Sequence, residues 1–358
     1  MPSLSNSTLR LLRRVLGAPR RGPGAHAGIA TVLDGNTAIA HTEAGICDAA
    51  GIGGSFPADS AGLAWRLEQR RLRVNAFGAP LATRAAESGR GALAAAIGLT
   101  LAGARATCFL SGADLTRCRD LLDSARAQRL PLVLHLAGRD EGGPGASLGN
   151  AHEAFHLGAA ADCLVLVAAN VQEAIDFTLL ARRICEQALL PAVIAMDGSQ
   201  TALAIQDARP ASTRLIRDLL GDPNDLVRCA EPSWQADSAA TAYTSLQQSE
   251  ESGPGTESND AQQFLFGEER RRLPRWHDPD HPVMIGALQP AAAAGPGRAA
   301  VRAYLDRPLQ GIVDAAFTRF AEVTGRSYQS ISDYCIDDAN LILLAMGSAI
   351  ETAEAVAD

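Results

Sequence analysis

From about Thr31 to Asp197 the chain alternates short apolar runs, rich in Val, Leu and Ile, with longer stretches of helical periodicity. That alternation predicts an α/β fold: a parallel sheet flanked by helices. The runs ATCFL (106–110), PLVLHLAG (131–138), DCLVLVAA (162–169) and PAVIAMD (191–197) are apolar almost without a break, as strands covered on both faces must be. Between the last two, VQEAIDFTLLARRICEQA predicts a helix with Asn170 as N-cap and Glu173 at the capping-box position. Ligands of such sheets sit beyond the carboxyl ends of the strands, so the residues that follow each strand are the first candidates for function.

Past about Asp225 the pattern breaks. Residues 233–263 are polar, contain Gly, Pro and Ser, and have few large apolar side chains, too few to bury a core. The chain is thus expected to comprise a basic flexible tail (1–30), an α/β domain (31–225), a low-complexity linker (226–280) and the start of a second α/β domain (281–358). The basic EERRRLPRWHD within the linker is expected to be a solvated turn. LILLAMG (341–347) predicts a buried strand, and SAIETAEAVAD opens a helix with Ser348 and Glu351 spaced as a capping box. A βα unit of this kind needs a following strand, so the second domain is expected to be incomplete in this chain.

Composition narrows the function. The 358 residues carry a net charge of -8, which leaves no electrostatic footprint for nucleic acid even though the first 33 residues contain no acid. Cys47, Cys108, Cys118, Cys163, Cys185, Cys229 and Cys335 are scattered, without a CxxC or a Cys/His cluster, so this chain is not expected to hold an iron–sulfur cluster or a structural zinc. Cys108 and Cys163, set in apolar runs, read as small buried hydrophobes in a reducing compartment. The absence of a transmembrane-length run or a secretory signal predicts a cytoplasmic protein without a membrane partner.

Few residues suggest chemistry by themselves. Glu87 opens an Ala/Gly-rich helical stretch. It can be a carboxylate favoured by the helix macrodipole or, with Ser88, Gly89, Gly91 and Ala92 making the surface small, a group that acts on a bound heterocycle. Arg139 follows an apolar strand, and its guanidinium can grip a carboxylate in a bidentate fork. His135 lies inside that strand and reads as a satisfied core histidine. His152 and His156 are four apart but lack a third metal ligand. Neither a GxGxxG fingerprint nor a Walker lysine motif is present.

Taken in order, these blocks resemble the N-terminal part of the pyruvate:ferredoxin (flavodoxin) oxidoreductases, which are thiamine-diphosphate enzymes. LDGNTAIAH (33–41) resembles the family's N-terminal signature. AAESGRGALAAAIGLTLAGARATCFLSGADL resembles its cofactor-activating helix and strand, and LPLVLHLAGR the strand ending in its substrate arginine. NVQEAIDFTLLA, MDGSQTALAIQ, VTGRSY and LLAMGSAIETAEAVAD resemble later blocks. The resemblance implies a thiamine diphosphate-binding fold and oxidative decarboxylation of a 2-oxoacid, pyruvate in the type reaction, to acyl-coenzyme A, with ferredoxin or flavodoxin as electron acceptor. It assigns Glu87, expected to be buried, to the cofactor's aminopyrimidine and Arg139 to the substrate carboxylate. It further implies that the diphosphate, Mg2+ and iron–sulfur sites lie on other domains or subunits, and that the complete enzyme is a homodimer. Two departures stand out. Phe56 occupies the position of a substrate-contacting Thr, with Ser55 beside it. In the loop LGNAHEAFHLGAAAD, His152 matches the family histidine while the family's Arg is replaced. These departures support an alternative, a catalytically inactive homologue acting as a binding or regulatory subunit, or a truncated remnant.

Overall fold

The computed structural model describes residues 28–72, 74–139, 152–229, 269–276, 309–337 and 339–358. Residues 1–27 of the expected basic tail, the Gly-rich loop after Arg139 and most of the linker lie outside these residues. The centre is a parallel six-stranded sheet of order β3-β2-β4-β5-β7-β6. Its strands are β2 (Ala49–Ile52), β3 (Ala82–Ala85), β4 (Ala106–Ser111), β5 (Val133–Ala137), β6 (Leu164–Ala168) and β7 (Ala192–Met196). β4, β5 and β7 are buried along their whole length, which explains their almost continuous apolar sequence. A separate antiparallel pair joins β1 (Thr31–Asp34) to β8 (Ile205–Ala208).

Helices cover both faces. One face carries α1 (Gly35–Ile46), α2 (Asp59–Arg71) and α7 (Val171–Ala188), whose Ile39, Trp65 and Leu179 share one core cluster. The other carries α3 (Gly89–Leu101), α5 (Arg119–Ala127) and α6 (His152–Ala160), packed through Leu93, Leu122 and Leu157. The short α4 (Gly112–Thr116) follows β4 directly. The Ala and Gly content has a geometric use here. A Cβ on Gly51 would lie 2.1 Å from the carbonyl oxygen of Ala92, so only glycine lets α3 rest this close to β2. As the sequence predicts, Asn170 caps α7 by accepting from the backbone of Glu173. Glu173 itself accepts from the backbone of Ala169 rather than from the cap residue.

Three sequence expectations change. Within the expected linker, β10 (Glu269–Arg271) pairs antiparallel with β9 (Leu226–Arg228). Arg270 is buried and donates to the carbonyls of Glu186 and Gln187 at the end of α7, so this basic segment caps a helix instead of standing in solvent. The predicted buried strand at 341–347 is unpaired, with Leu341 89% and Leu344 88% exposed; no neighbouring strand covers it among the described residues. Ser348 does not cap the final helix, α10 (Ala349–Ala357), through its side chain. It hydrogen-bonds Asp197 of the first domain instead. The helix predicted before VTGRSY is present as α9 (Leu309–Thr324) and packs on α7 and on α8 (Thr213–Leu220). Arg326 and Tyr328, just beyond it, both hold the buried carboxylate of Asp176 on α7.

Candidate functional site

The sheet order reverses about β2, which has β3 on one side and β4 on the other. Successive crossovers therefore part at the carboxyl ends of β2 and β4, the place where open α/β sheets take ligands. Three loops meet there around Asp114, which is 6% exposed. Its Oδ2 accepts from the backbone N–H of Ser55 (2.7 Å) and of Ser111 (3.0 Å), and it lies 3.0 Å from both serine hydroxyls. The two hydroxyls are 2.7 Å apart. Ser111 and Asp114 form a capping box on α4, so Asp114 serves its own helix and the loop after β2 at once. The loop after β3 adjoins them: a Cβ on Gly89 would lie 2.5 Å from the carboxyl carbon of Asp114.

Glu87 stands two residues before Gly89. It is not in the first turn of α3. Ser88 is the N-cap, its hydroxyl accepting from the backbone of Gly91, and the first turn contains no acid. Glu87 therefore sits one residue before the N-cap, outside the helix but beside its amino end. Nor is Glu87 buried as expected. It is exposed, since β3 is the sheet edge and no element among the described residues covers its end. The neighbouring Arg90 is engaged by Asp120, at 2.6 Å to each oxygen, and by the carbonyl of Arg117. Glu87 thus remains a carboxylate without a hydrogen bond or ion pair among the described residues.

Arg139 and Phe56 come together. Arg139 Nη1 donates to the carbonyl of Phe56 at 3.0 Å, which joins the end of β5 to the loop after β2. The same loop is fixed from its other side, because Asn36 in the first turn of α1 donates to the carbonyl of Pro57 and to the hydroxyl of Ser60. Asp34 in turn caps α1, accepting from the backbone and hydroxyl of Thr37. The sequence LDGNT therefore braces the Ser55–Pro57 loop from the adjacent helix. Between these braces the Phe56 side chain stays 49% exposed. His152 begins α6, half-buried, on the helix that follows the Arg139 loop and packs against α4. Ser111 and Asp114 were missed in the sequence, although Ser-x-x-Asp directly after a strand is a recognisable helix start.

His135 fulfils the core reading. It is buried, stacks on Phe109 at 5.6 Å and bonds Glu43 at 2.8 Å. Glu43 is also held by Arg182, at 3.1 Å to both carboxylate oxygens, and by the Cys47 thiol. Burial opposes this charge, but Arg182 and His135 outweigh it and hold the Glu43 carboxyl down at about 2. Cys108 is buried, as expected, and burial pushes its thiol well up; Cys163 is only partly buried. At the far side of the sheet, the carboxyl end of β7 is taken by the chain itself. Gly347 is buried there, Ser348 bonds Asp197, and Asn170 donates to Glu351 at 2.9 Å.

Residues 72–263 match the family described as pyruvate flavodoxin/ferredoxin oxidoreductase, thiamine diphosphate-binding, which is more than half of the chain. The chain belongs to this family. Glu87, Arg139 and His152 fall within the matched stretch; Ser55 and Phe56 precede it. Among its relatives is a probable pyruvate-flavodoxin oxidoreductase of Escherichia coli, 26% identical over 272 residues, covering 76% of this chain and 19% of that protein. Another is pyruvate synthase subunit PorA of Pyrococcus furiosus, 24% identical over 264 residues, covering 73% of this chain and 54% of that subunit. The chain thus spans about a fifth of the first and about half of the second. A solved 2-oxoglutarate:ferredoxin oxidoreductase from Magnetococcus marinus, with 2-oxoglutarate, coenzyme A and succinyl-CoA bound, aligns over 52% of this chain and 32% of its own with 19% identity and a TM-score of 0.44. The family match, not this structural likeness, makes the parallel sheet with helices on both faces the α/β thiamine diphosphate-binding domain of that family.

Proposed function

We propose that this chain supplies the pyrimidine-activating and substrate-binding half of a thiamine-diphosphate 2-oxoacid oxidoreductase, which transfers the acyl group to coenzyme A and electrons to ferredoxin or flavodoxin. The observation that carries this reading is Glu87, an exposed carboxylate with no partner among the described residues, at the open edge of the sheet's carboxyl end in a member of this family. The residues fit the pyrimidine half of the cofactor. Ser88 beside the carboxylate is small and exposed, and Glu87 can hold a proton against a ring nitrogen. When bound, the cofactor supplies the nucleophilic carbon and the electron sink for decarboxylation.

Arg139, at the end of β5, binds the 2-oxoacid carboxylate through its guanidinium. Ser55 offers its hydroxyl beside Phe56, and His152 stands at the start of α6 on the same side of the sheet. Mg2+ with the diphosphate, and the iron–sulfur clusters, are assigned to other domains or subunits. The complete enzyme is proposed to be a cytoplasmic homodimer.

The test is reconstitution of this chain with the protein carrying the diphosphate-binding half, followed by calorimetric titration with magnesium thiamine diphosphate and assay of 2-oxoacid decarboxylation. Glu87→Gln should retain the fold and lower decarboxylation by about 10²–10⁴-fold, the usual size of a lost general acid–base contribution. Wild-type protein that binds no cofactor, or binds it without decarboxylation, would replace this reading by that of an inactive binding or regulatory homologue.

A further inference from the structure

The capping box of Ser111 and Asp114 explains only part of what Asp114 does. A cap for the five-residue α4 needs the backbone of Asp114 to meet the Ser111 hydroxyl and the Asp114 carboxylate to meet the Ser111 backbone. The same carboxylate oxygen also takes the backbone N–H of Ser55, 59 residues away, at 2.7 Å. Gly89, the first residue of α3, lies against the carboxyl group so closely that even an alanine methyl would collide with it. One nearly buried carboxylate therefore touches the loops that follow β2, β3 and β4. Those loops carry, respectively, Ser55 with Phe56, Glu87, and the cap itself. Through the carbonyl of Phe56 the connection reaches Arg139 at the end of β5.

The charge suits the position. Two backbone N–H groups converge on the carboxylate, it lies in the first turn of α4, and it faces the amino end of α3, so both helix ends favour an anion. Its contacts on these loops are made by Ser55, beyond the end of β2, and by Gly89, beyond the end of β3. We propose that Asp114 is the positioning residue of the site, fixing the Glu87 loop and the Ser55–Phe56 loop relative to each other. The role assigned to those loops rests on the proposed function above; the connection between them does not.

Two measurements separate the claims. Hydrogen exchange on the full chain, without cofactor, compares wild type with Asp114→Ala, Asp114→Asn and Ser55→Ala. In Asp114→Ala the amides of 53–56 should exchange about tenfold faster or more, the effect of losing a hydrogen bond to a charged acceptor, and those of 86–89 should also exchange faster as the packing contact of Gly89 with the carboxyl group is lost, while β5 and β7 keep wild-type protection. Asp114→Asn retains one acceptor oxygen and should restore most of that protection. Exchange that is unchanged in the two loops, or that rises uniformly across the sheet, would overturn the proposal. The second measurement is the affinity of the reconstituted protein for magnesium thiamine diphosphate, which should fall by about tenfold or more in Asp114→Ala, since small misplacements of binding groups are costly, and recover in Asp114→Asn. Unchanged affinity in folded Asp114→Ala would also overturn it. Should wild-type protein bind no cofactor, the functional reading fails, and the exchange measurement alone decides the positioning claim.

Discussion

At the scale of single residues, the deepest charges lie away from the carboxyl edge of the sheet. Glu43, His135 and Arg182 come from α1, β5 and α7, and all are at most 1% exposed. A buried ion pair is weak evidence of net stability, yet removing one partner is costly because the other charge stays behind. Glu43→Gln would leave Arg182 without its carboxylate, and we expect unfolding free energy at pH 7 to drop by about 3–5 kcal/mol. The folded Glu43 carboxyl sits at about 2, below its ordinary value of 4.5. Its contribution is therefore complete above 4.5 and is lost as pH falls toward 2. Urea titrations of wild type and Glu43→Gln should converge over that interval. A gap that stays constant from pH 7 to pH 2 would contradict the assignment. The role of His135 was readable because Leu134 and Leu136 flank it. Its partner was not, since Glu43 is 92 residues away and lies on an unremarkable apolar helix.

Elements show why some patterns were legible and others were not. β4, β5 and β7 are central and covered on both faces, so their sequences are continuous apolar runs. β2 (AAGI) and β3 (ATRA) give no such signal: β2 needs small residues under α3, and β3 is an exposed edge. The same Ser-x-x-acid spacing occurs at 111–114 and at 348–351, with opposite outcomes. Ser111 finds only its own helix and Ser55, so the box closes. Ser348 is drawn to Asp197, and Glu351 to Asn170, because the carboxyl ends of β6 and β7 supply competing partners. Local pattern decides only where tertiary contacts are silent. The Gly51 contact gives an element-scale test. Gly51→Ala puts a methyl group into the Ala92 carbonyl, which requires α3 to shift, at a cost of about 1–3 kcal/mol. Thermal unfolding should register that loss, and because the shift carries Ser88 and Glu87 with it, the reconstituted protein should also bind thiamine diphosphate more weakly. Unchanged stability would mean that α3 can rest farther from β2 than the structure has it.

At the scale of the whole molecule, two carboxylates of α7 and β7 hold the final segment on the α/β domain. Asp176 takes Arg326 and Tyr328 ahead of the apolar run, and Asp197 takes Ser348 behind it. Burial raises the Asp176 carboxyl even with these partners bonded to it. Between the anchors, Leu341, Ile342, Leu343 and Leu344 stand 63–89% exposed, without strand partners among the described residues. Four consecutive apolar residues are the pattern of a strand covered on both faces, so sequence and exposure disagree within the chain taken alone. An extended apolar segment with free N–H and C=O groups is a template for pairing with another chain, and being anchored at both ends it is presented without much further loss of entropy. We therefore expect the isolated chain to self-associate through these residues. Sedimentation velocity should detect concentration-dependent species, and Ile342→Lys with Leu344→Lys should abolish them. The thermal midpoint of the α/β domain should be unchanged, because neither side chain belongs to its core. Association that persists in the double variant would move the contact to another surface, of which the exposed Leu63 and Leu67 of α2 are the next to substitute.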